Sequence, residues 1–159
     1  MRSRTGRTVA VKADDGAALV EFVFLAIMLM VPLVYLVLTL AQVQGRTFAA
    51  EAVARDVSRA AVVAGVDALQ EGASYPAAER AAREHAAAAL EQTLADFHVD
   101  ASDAEVVLSC SSTPCLAPGS DMEVDVTIEV RLPGIGALIP GALVTVTSSG
   151  SSPVDGYAP

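Results

Sequence analysis

The stretch DDGAALVEFVFLAIMLMVPLVYLVLTLAQ, Asp14 to Gln42, decides how this chain is read. From Phe22 to Ala41 it has no charged residue. As a helix, twenty such residues span about 30 Å, the thickness of a bilayer's hydrocarbon core. A transmembrane helix is therefore the main expectation. Two other readings compete with it. A buried helix of a soluble protein would need a large core to hide in, and a chain of 159 residues offers little. A cleaved secretory signal has an apolar region of about 7–15 residues and a small-residue cleavage site after it. The run here is longer, and Leu40-Ala41-Gln42 is a poor site. Retention as an anchor is the favoured expectation. What needs explaining is Glu21, a carboxylate at the head of the run, because an acid in lipid is costly and usually has a functional partner. Snorkelling to the nearby interface is the bland alternative.

Charge divides the chain around this segment. Arg2, Arg4, Arg7 and Lys12 stand against Asp14 and Asp15 before Ala17, leaving +2. Beyond the run lie six basic and sixteen acidic residues within a total of −9. Basic residues near a helix end hold the cytoplasmic side, so the expected orientation is N-terminus inside and acidic domain outside. An acidic outer domain argues against nucleic acid, which needs a basic surface. Two cysteines in C-S-S-T-P-C, Cys110 and Cys115, agree with an exported domain, where an even count reads as one disulfide. Two free thiols are the alternative. A metal site is disfavoured, because two sulfurs alone do not complete a tetrahedral shell.

The helix is expected to continue to about Gly65, since Ala49, Ala52, Val53, Val57, Ala60, Ala61 and Ala64 recur at helical spacing and Glu51–Arg55 is a favourable i,i+4 pair. Pro32 and Gly45 are candidate kinks. Gly72 to Pro76 breaks the chain. A second helix then carries an apolar face of Ala82, Ala86, Ala89, Leu90, Thr93, Leu94 and Phe97, with Glu79–Arg83 and Arg80–Glu84 pairing on the other side. Met122 to Leu132 alternates strictly and predicts a strand, with weaker strands at Ala104–Cys110 and Leu143–Thr147. LPGIGALIPG, Leu132 to Gly141, reads as an apolar loop, and the Ser/Gly/Pro-rich tail from Ser148 as loose. The fold class is α+β: a long N-terminal transmembrane helix running on into an amphipathic one, a second helix, and a small three-stranded antiparallel sheet whose apolar face the helices cover. The expected divisions are 1–16 basic leader, 17–41 transmembrane helix, 42–147 extracytoplasmic domain and 148–159 flexible tail.

The other chemistry-bearing residues read blandly. His85 and His98 are the only histidines, and Asp96-Phe97-His98-Val99-Asp100 fits a solvated helix end better than a metal site. Glu123, Asp125 and Glu129 fit a solvated strand face better than a cation site. No Ser/His/Asp motif or phosphate loop is present, so neither an enzyme nor a cofactor is expected.

The register of Glu21 says more. Gly16 precedes Ala17, Glu21 is the fifth residue counted from Ala17, and Phe22 opens the apolar run. This arrangement resembles the class III signal of type IV pilin-like proteins: a short basic leader, a Gly before the cut, a Glu at the fifth mature position, and a long apolar helix. Over Gly16 to Gly65 the chain is similar to the TadE-like family of minor pilins, or pseudopilins, of tight-adherence (Flp pilus) systems. That family often reads G-A-x-x-V-E-F, then an apolar run holding a Pro, then a helix rich in A-R-x-x-x-R-A-A. The last part is here Ala54-Arg55-Asp56-Val57-Ser58-Arg59-Ala60-Ala61. The acidic pair Asp14-Asp15 departs from the usual leader. The resemblance implies a pilin-like fold and cleavage between Gly16 and Ala17 by a prepilin peptidase at the cytoplasmic face. It implies a single-pass protein with its domain outside the membrane, or incorporated in a pilus. It also implies assembly through Glu21 and Phe22 with other pilin or pseudopilin subunits and the Tad machinery, for a Flp-type pilus or a related secretion apparatus. The alternative is an unprocessed single-span membrane protein whose outer domain binds an extracellular partner.

Overall fold

The computed structural model of the chain describes residues 14–132 and 143–155, with side chains from residue 18 onward. The elements run α1 (Asp14–Gln70), α2 (Tyr75–Asp96), a 3-10 turn (Ala101–Asp103), β1 (Ala104–Cys110), β2 (Asp121–Arg131) and β3 (Leu143–Pro153). This is the α+β arrangement expected: a long apolar N-terminal helix, a second helix and a three-stranded antiparallel sheet in the order β1-β2-β3. Two compact units divide the chain, one ending at Leu38 and one beginning at Thr39.

Helix α1 is described from Asp14 onward, so residues 14–17 are already helical. It runs on past Gly65, and neither Pro32 nor Gly45 interrupts it. Gly65 is no terminator because a side chain seats on it: an added Cβ would stand 2.6 Å from Leu116 Cδ1. The stop is Gly72. Its φ of +91° is left-handed, Ala73 N–H donates to Ala68 O, and Gly72 N–H donates to Leu69 O, both at 3.0 Å. That is a Schellman closure, and it satisfies carbonyls the last turn would leave unpaired.

Helix α2 begins after Ser74 with Pro76 in its first turn, where a missing N–H costs nothing. It ends in the same closure. Val99 N–H donates to Leu94 O at 2.9 Å and His98 N–H to Ala95 O at 3.1 Å, with His98 at φ +53°. The stretch around His98 is thus a helix end. Phe97, expected on the apolar face, is 41% exposed, because the chain leaves the helix there. The pairs Glu79–Arg83 and Arg80–Glu84 do not form among the described residues; Glu79 turns instead to accept the Cys115 N–H at 3.0 Å. Glu51–Arg55 does form, at 3.7 Å.

In the sheet, Met122, Val124, Val126, Ile128 and Val130 of β2 are all buried, and the residues between them face outward. They belong to one core with Ala49, Ala50, Val53, Ala54, Val57 and Ala61 of α1 and Ala78, Ala82, Ala86 and Leu94 of α2. Leu116, just after the second cysteine, is fully buried in the same core.

The tail from Ser148 is not loose as far as it is described. Strand β3 continues through Pro153 and pairs with β2 along its whole length, Asp121 opposite Pro153 and Arg131 opposite Leu143. The Ser/Gly composition that suggested a linker has another cause. Gly150 lies under the backbone of α1, and a Cβ there would come within 2.7 Å of Ala54 C and O. Beside it, Ser152 Oγ donates to Ser58 Oγ at 3.2 Å, and Ser58 is 1% exposed. A strand this close to a helix needs small side chains. The loop expected at Leu132–Gly141 lies, after Leu132, outside the described residues, as do the leader up to residue 13 and the last residues, 156–159.

Two substitutions check these placements. Gly150→Ala should cost about 1–3 kcal/mol of stability, since backbone rather than a flexible side chain stands in the way. His98→Gly should stabilise by about 0.5–1 kcal/mol by relieving a left-handed non-glycine residue. Urea unfolding of the detergent-solubilised chain reads both.

Candidate functional site

The site residues named from sequence lie at the start of α1. Gly16 and Ala17 are helical residues of α1, and Glu21 and Phe22 follow one turn later. Phe22 is 71% exposed and Glu21 is exposed beside it. Among the described residues no ion pair or hydrogen bond reaches the Glu21 carboxylate. Its neighbours one turn away along the helix are Ala17, Ala18, Phe24 and Leu25, none of which can neutralise it. Between Gly16 and Gly45 it is the only charged residue.

The apolar segment around it is unburied. None of the most apolar stretch of α1 is buried by the chain, although the helix is long and apolar enough to cross a membrane. Leu29 is 73% exposed and Met28 is 66% exposed. A core helix of a soluble domain would show the reverse. Phe22, Leu25, Ala26, Leu29, Met30 and Leu33 line a shallow apolar groove of about 460 Å³ along one side of it. The spacing is that of a helix face able to meet another helix or lipid chains.

In the second unit, Cys110 and Cys115 are joined by a disulfide, as the cysteine count suggested, with their Cα atoms 5.3 Å apart. The bond closes the turn after β1. Glu79 holds that turn through the Cys115 N–H, and Ser120 Oγ donates to Cys115 O at 2.7 Å. The Glu79 contact fastens the β1–β2 connection to α2, and Leu116, the residue after Cys115, lies against Gly65 of α1. Sequence reasoning gave Leu116 and Ser120 no role; no periodic pattern marks a buried loop residue.

A cleft of about 350 Å³ in the same unit is lined in part by Arg46, Phe97, His98, Asp103 and Arg131. Its basic groups are engaged internally, Arg131 pairing with Asp103 at 3.0 Å and Arg46 donating to His98 O at 3.3 Å, while Glu129 on the same wall is exposed. The outward acids Glu123, Asp125 and Glu129 of β2 are exposed. Among the described residues no group of three or more His, Cys, Asp or Glu side chains converges to hold a metal ion.

Comparison of the chain with family models, with curated proteins and with solved structures gives no match.

If lipid supplies the missing environment of α1, then in native membranes Leu29→Cys should resist a membrane-impermeant maleimide until detergent is added. Glu71→Cys should be labelled once its side of the membrane is reached. Equal labelling of both in sealed vesicles without detergent would place the apolar segment in water.

Proposed function

We propose that the chain is a TadE-like minor pilin or pseudopilin, a structural subunit in assembly of a Flp-type pilus or a related secretion apparatus. One observation carries the reading: Gly16-Ala17 is followed at the fifth position by Glu21, the sole charge on an otherwise apolar, unburied helical segment. In this reading a prepilin peptidase cuts between Gly16 and Ala17 at the cytoplasmic face, with the disulfide-bearing domain outside. The cut leaves an amine on Ala17. Glu21 then pairs with that amine on a neighbouring subunit. In lipid the pair offsets the desolvation that each charge bears alone, and it fixes the register of one helix against the next. Phe22 and the apolar face behind it supply the accompanying contact. The chain provides contacts and no catalytic group; the chemistry of cleavage belongs to the peptidase.

The absence of any partner for Glu21 among the described residues supports this reading, since a lone carboxylate on an apolar helix lacks what would make it tolerable. A different observation favours the second reading, an unprocessed single-span protein with a partner-binding outer domain. Asp14 and Asp15 stand directly before Gly16, where the leaders of the resembled family are basic, and Gly16 and Ala17 are helical residues of α1.

The N-terminal mass of the protein from its native membrane separates the two. A chain beginning at Ala17, methylated or not, is expected. A chain retaining Arg2 to Gly16 in a host with an active prepilin peptidase would refute the proposal. With processing established, Glu21→Gln should still insert and fold, yet lose assembly by on the order of a hundredfold or more, because breaking a buried pair costs about 3–5 kcal/mol. A simple anchor would tolerate the change.

A further inference from the structure

Among the described residues the outer edge of β3 is open. The sheet order β1-β2-β3 leaves β3 with no second strand neighbour among the described residues. The direction of its backbone groups follows from the bonds at its end. Val154 N–H donates to Ser120 O at 2.8 Å, and Val154 O accepts from Gly119 N–H at 2.9 Å, so residue 154 faces β2. In an antiparallel ladder this facing alternates. Ser152, Gly150, Ser148, Val146 and Val144 therefore also turn their backbone groups to β2. Leu143, Thr145, Thr147, Ser149 and Ser151 turn theirs outward, and all five are exposed. That is an open row of five N–H donors in an eleven-residue strand.

Folded proteins normally blunt such an edge with a charge, a bulge, a proline or a covering element. Strand β3 has no charged residue, and its proline stands at the last position. The other open edge, β1, is seven residues long, carries Glu105 and ends at the disulfide.

We propose that the β3 edge is a self-association surface: β3 of a second copy of this chain pairs antiparallel with it, joining two sheets into one of six strands. Three features select a second copy as the occupant. The strand is self-complementary. Centred on Ser148, full overlap sets Thr147 opposite Ser149, Thr145 opposite Ser151, and Leu143 opposite Pro153. Every outward N–H then meets an outward carbonyl, five from each copy, and Pro153 forfeits only a terminal bond. The facing side chains are hydroxyls, which pair across strands. The electrostatics also permit it in a chain of net charge −9. The acidic rows of the two β2 strands would lie three strand spacings apart, about 14 Å, beyond the screening length of about 8 Å at physiological salt. Pairing through β1 would instead bring the two Glu105 carboxylates onto adjacent strands.

The test uses the full chain in detergent. Sedimentation over a range of protein concentrations, together with amide exchange, should show a dimer whose Thr145, Thr147, Ser149 and Ser151 amides slow by about tenfold or more as it forms. Thr147→Pro removes a central outward donor while leaving the bonds to β2 in place, and should shift dissociation to at least tenfold higher concentration. Thr147→Lys, on the exposed face, should act in the same direction if the proline variant fails to fold. A chain that stays monomeric with rapidly exchanging edge amides would overturn the proposal. So would edge amides already slow in the monomer, since the chain would then cover its own edge. A dimer unchanged in both variants would put the interface elsewhere. None of these results depends on N-terminal processing, so this surface and the pilin reading stand or fall separately.

Discussion

The domain depends on how closely α1 can lie on the sheet. Gly150 of β3 sits against the carbonyl carbon and oxygen of Ala54, and the helix face around Ala54 is built of Ala49, Ala50, Val53, Val57 and Ala61, all buried. Small residues on both partners let backbone approach backbone, so many weak dispersion contacts form over a short separation. The rest follows from that closeness. In the seam Ser152 donates to the Ser58 hydroxyl, which itself donates to Arg55 O, and Gly65 admits the Leu116 side chain, which ties the β1–β2 connection to α1. The disulfide then closes the same connection onto the end of β1, and Glu79 fastens it to α2. Larger side chains on this face would separate the layers and expose β2's row of aliphatic residues.

The other part of the chain is under the opposite constraint. The apolar segment of α1 is not buried among the described residues and keeps large side chains exposed along its length. In the proposed reading lipid is the solvent that makes such a surface stable, and lipid in turn makes one carboxylate conspicuous. In water Glu21 would be one acid among the nineteen Asp and Glu residues of the chain. On an apolar helix it is the one group whose energy depends on what stands beside it. This is why the proposed role in assembly attaches to Glu21, while the acidic face of β2 is left to solvent.

Much of this was legible in the residues. The strict alternation of Met122 to Leu132 gave β2 and its buried face, and Ala104–Cys110 gave β1 to the residue, because a period of two has one structural meaning. The apolar run was plain from composition. The misreadings share a cause. Gly65 looked like a helix end and proved to be a packing site, while Gly72 made the stop; only φ and the 73-to-68 bond tell them apart. Ser148 to Pro153 looked like a linker because small polar residues serve both a loose chain and a strand pressed against a helix. Glu79 seemed bound for Arg83, yet an N–H brought in from a distant loop was the better partner.

The sequence by itself determined the elements with a periodicity or a length that admits one reading: the apolar helix, the position of Glu21 relative to Gly16, the alternating strand, and the two cysteines close enough to join. Those features are local, and local chemistry is enough to specify them. Tertiary structure alone decided where α1 stops, that β3 runs on to Pro153, that Leu116 is core, and that β1 and β3 take the two edges of the sheet. Each of these is settled by a contact between residues far apart in the chain, and no pattern along the chain records which distant atom will arrive.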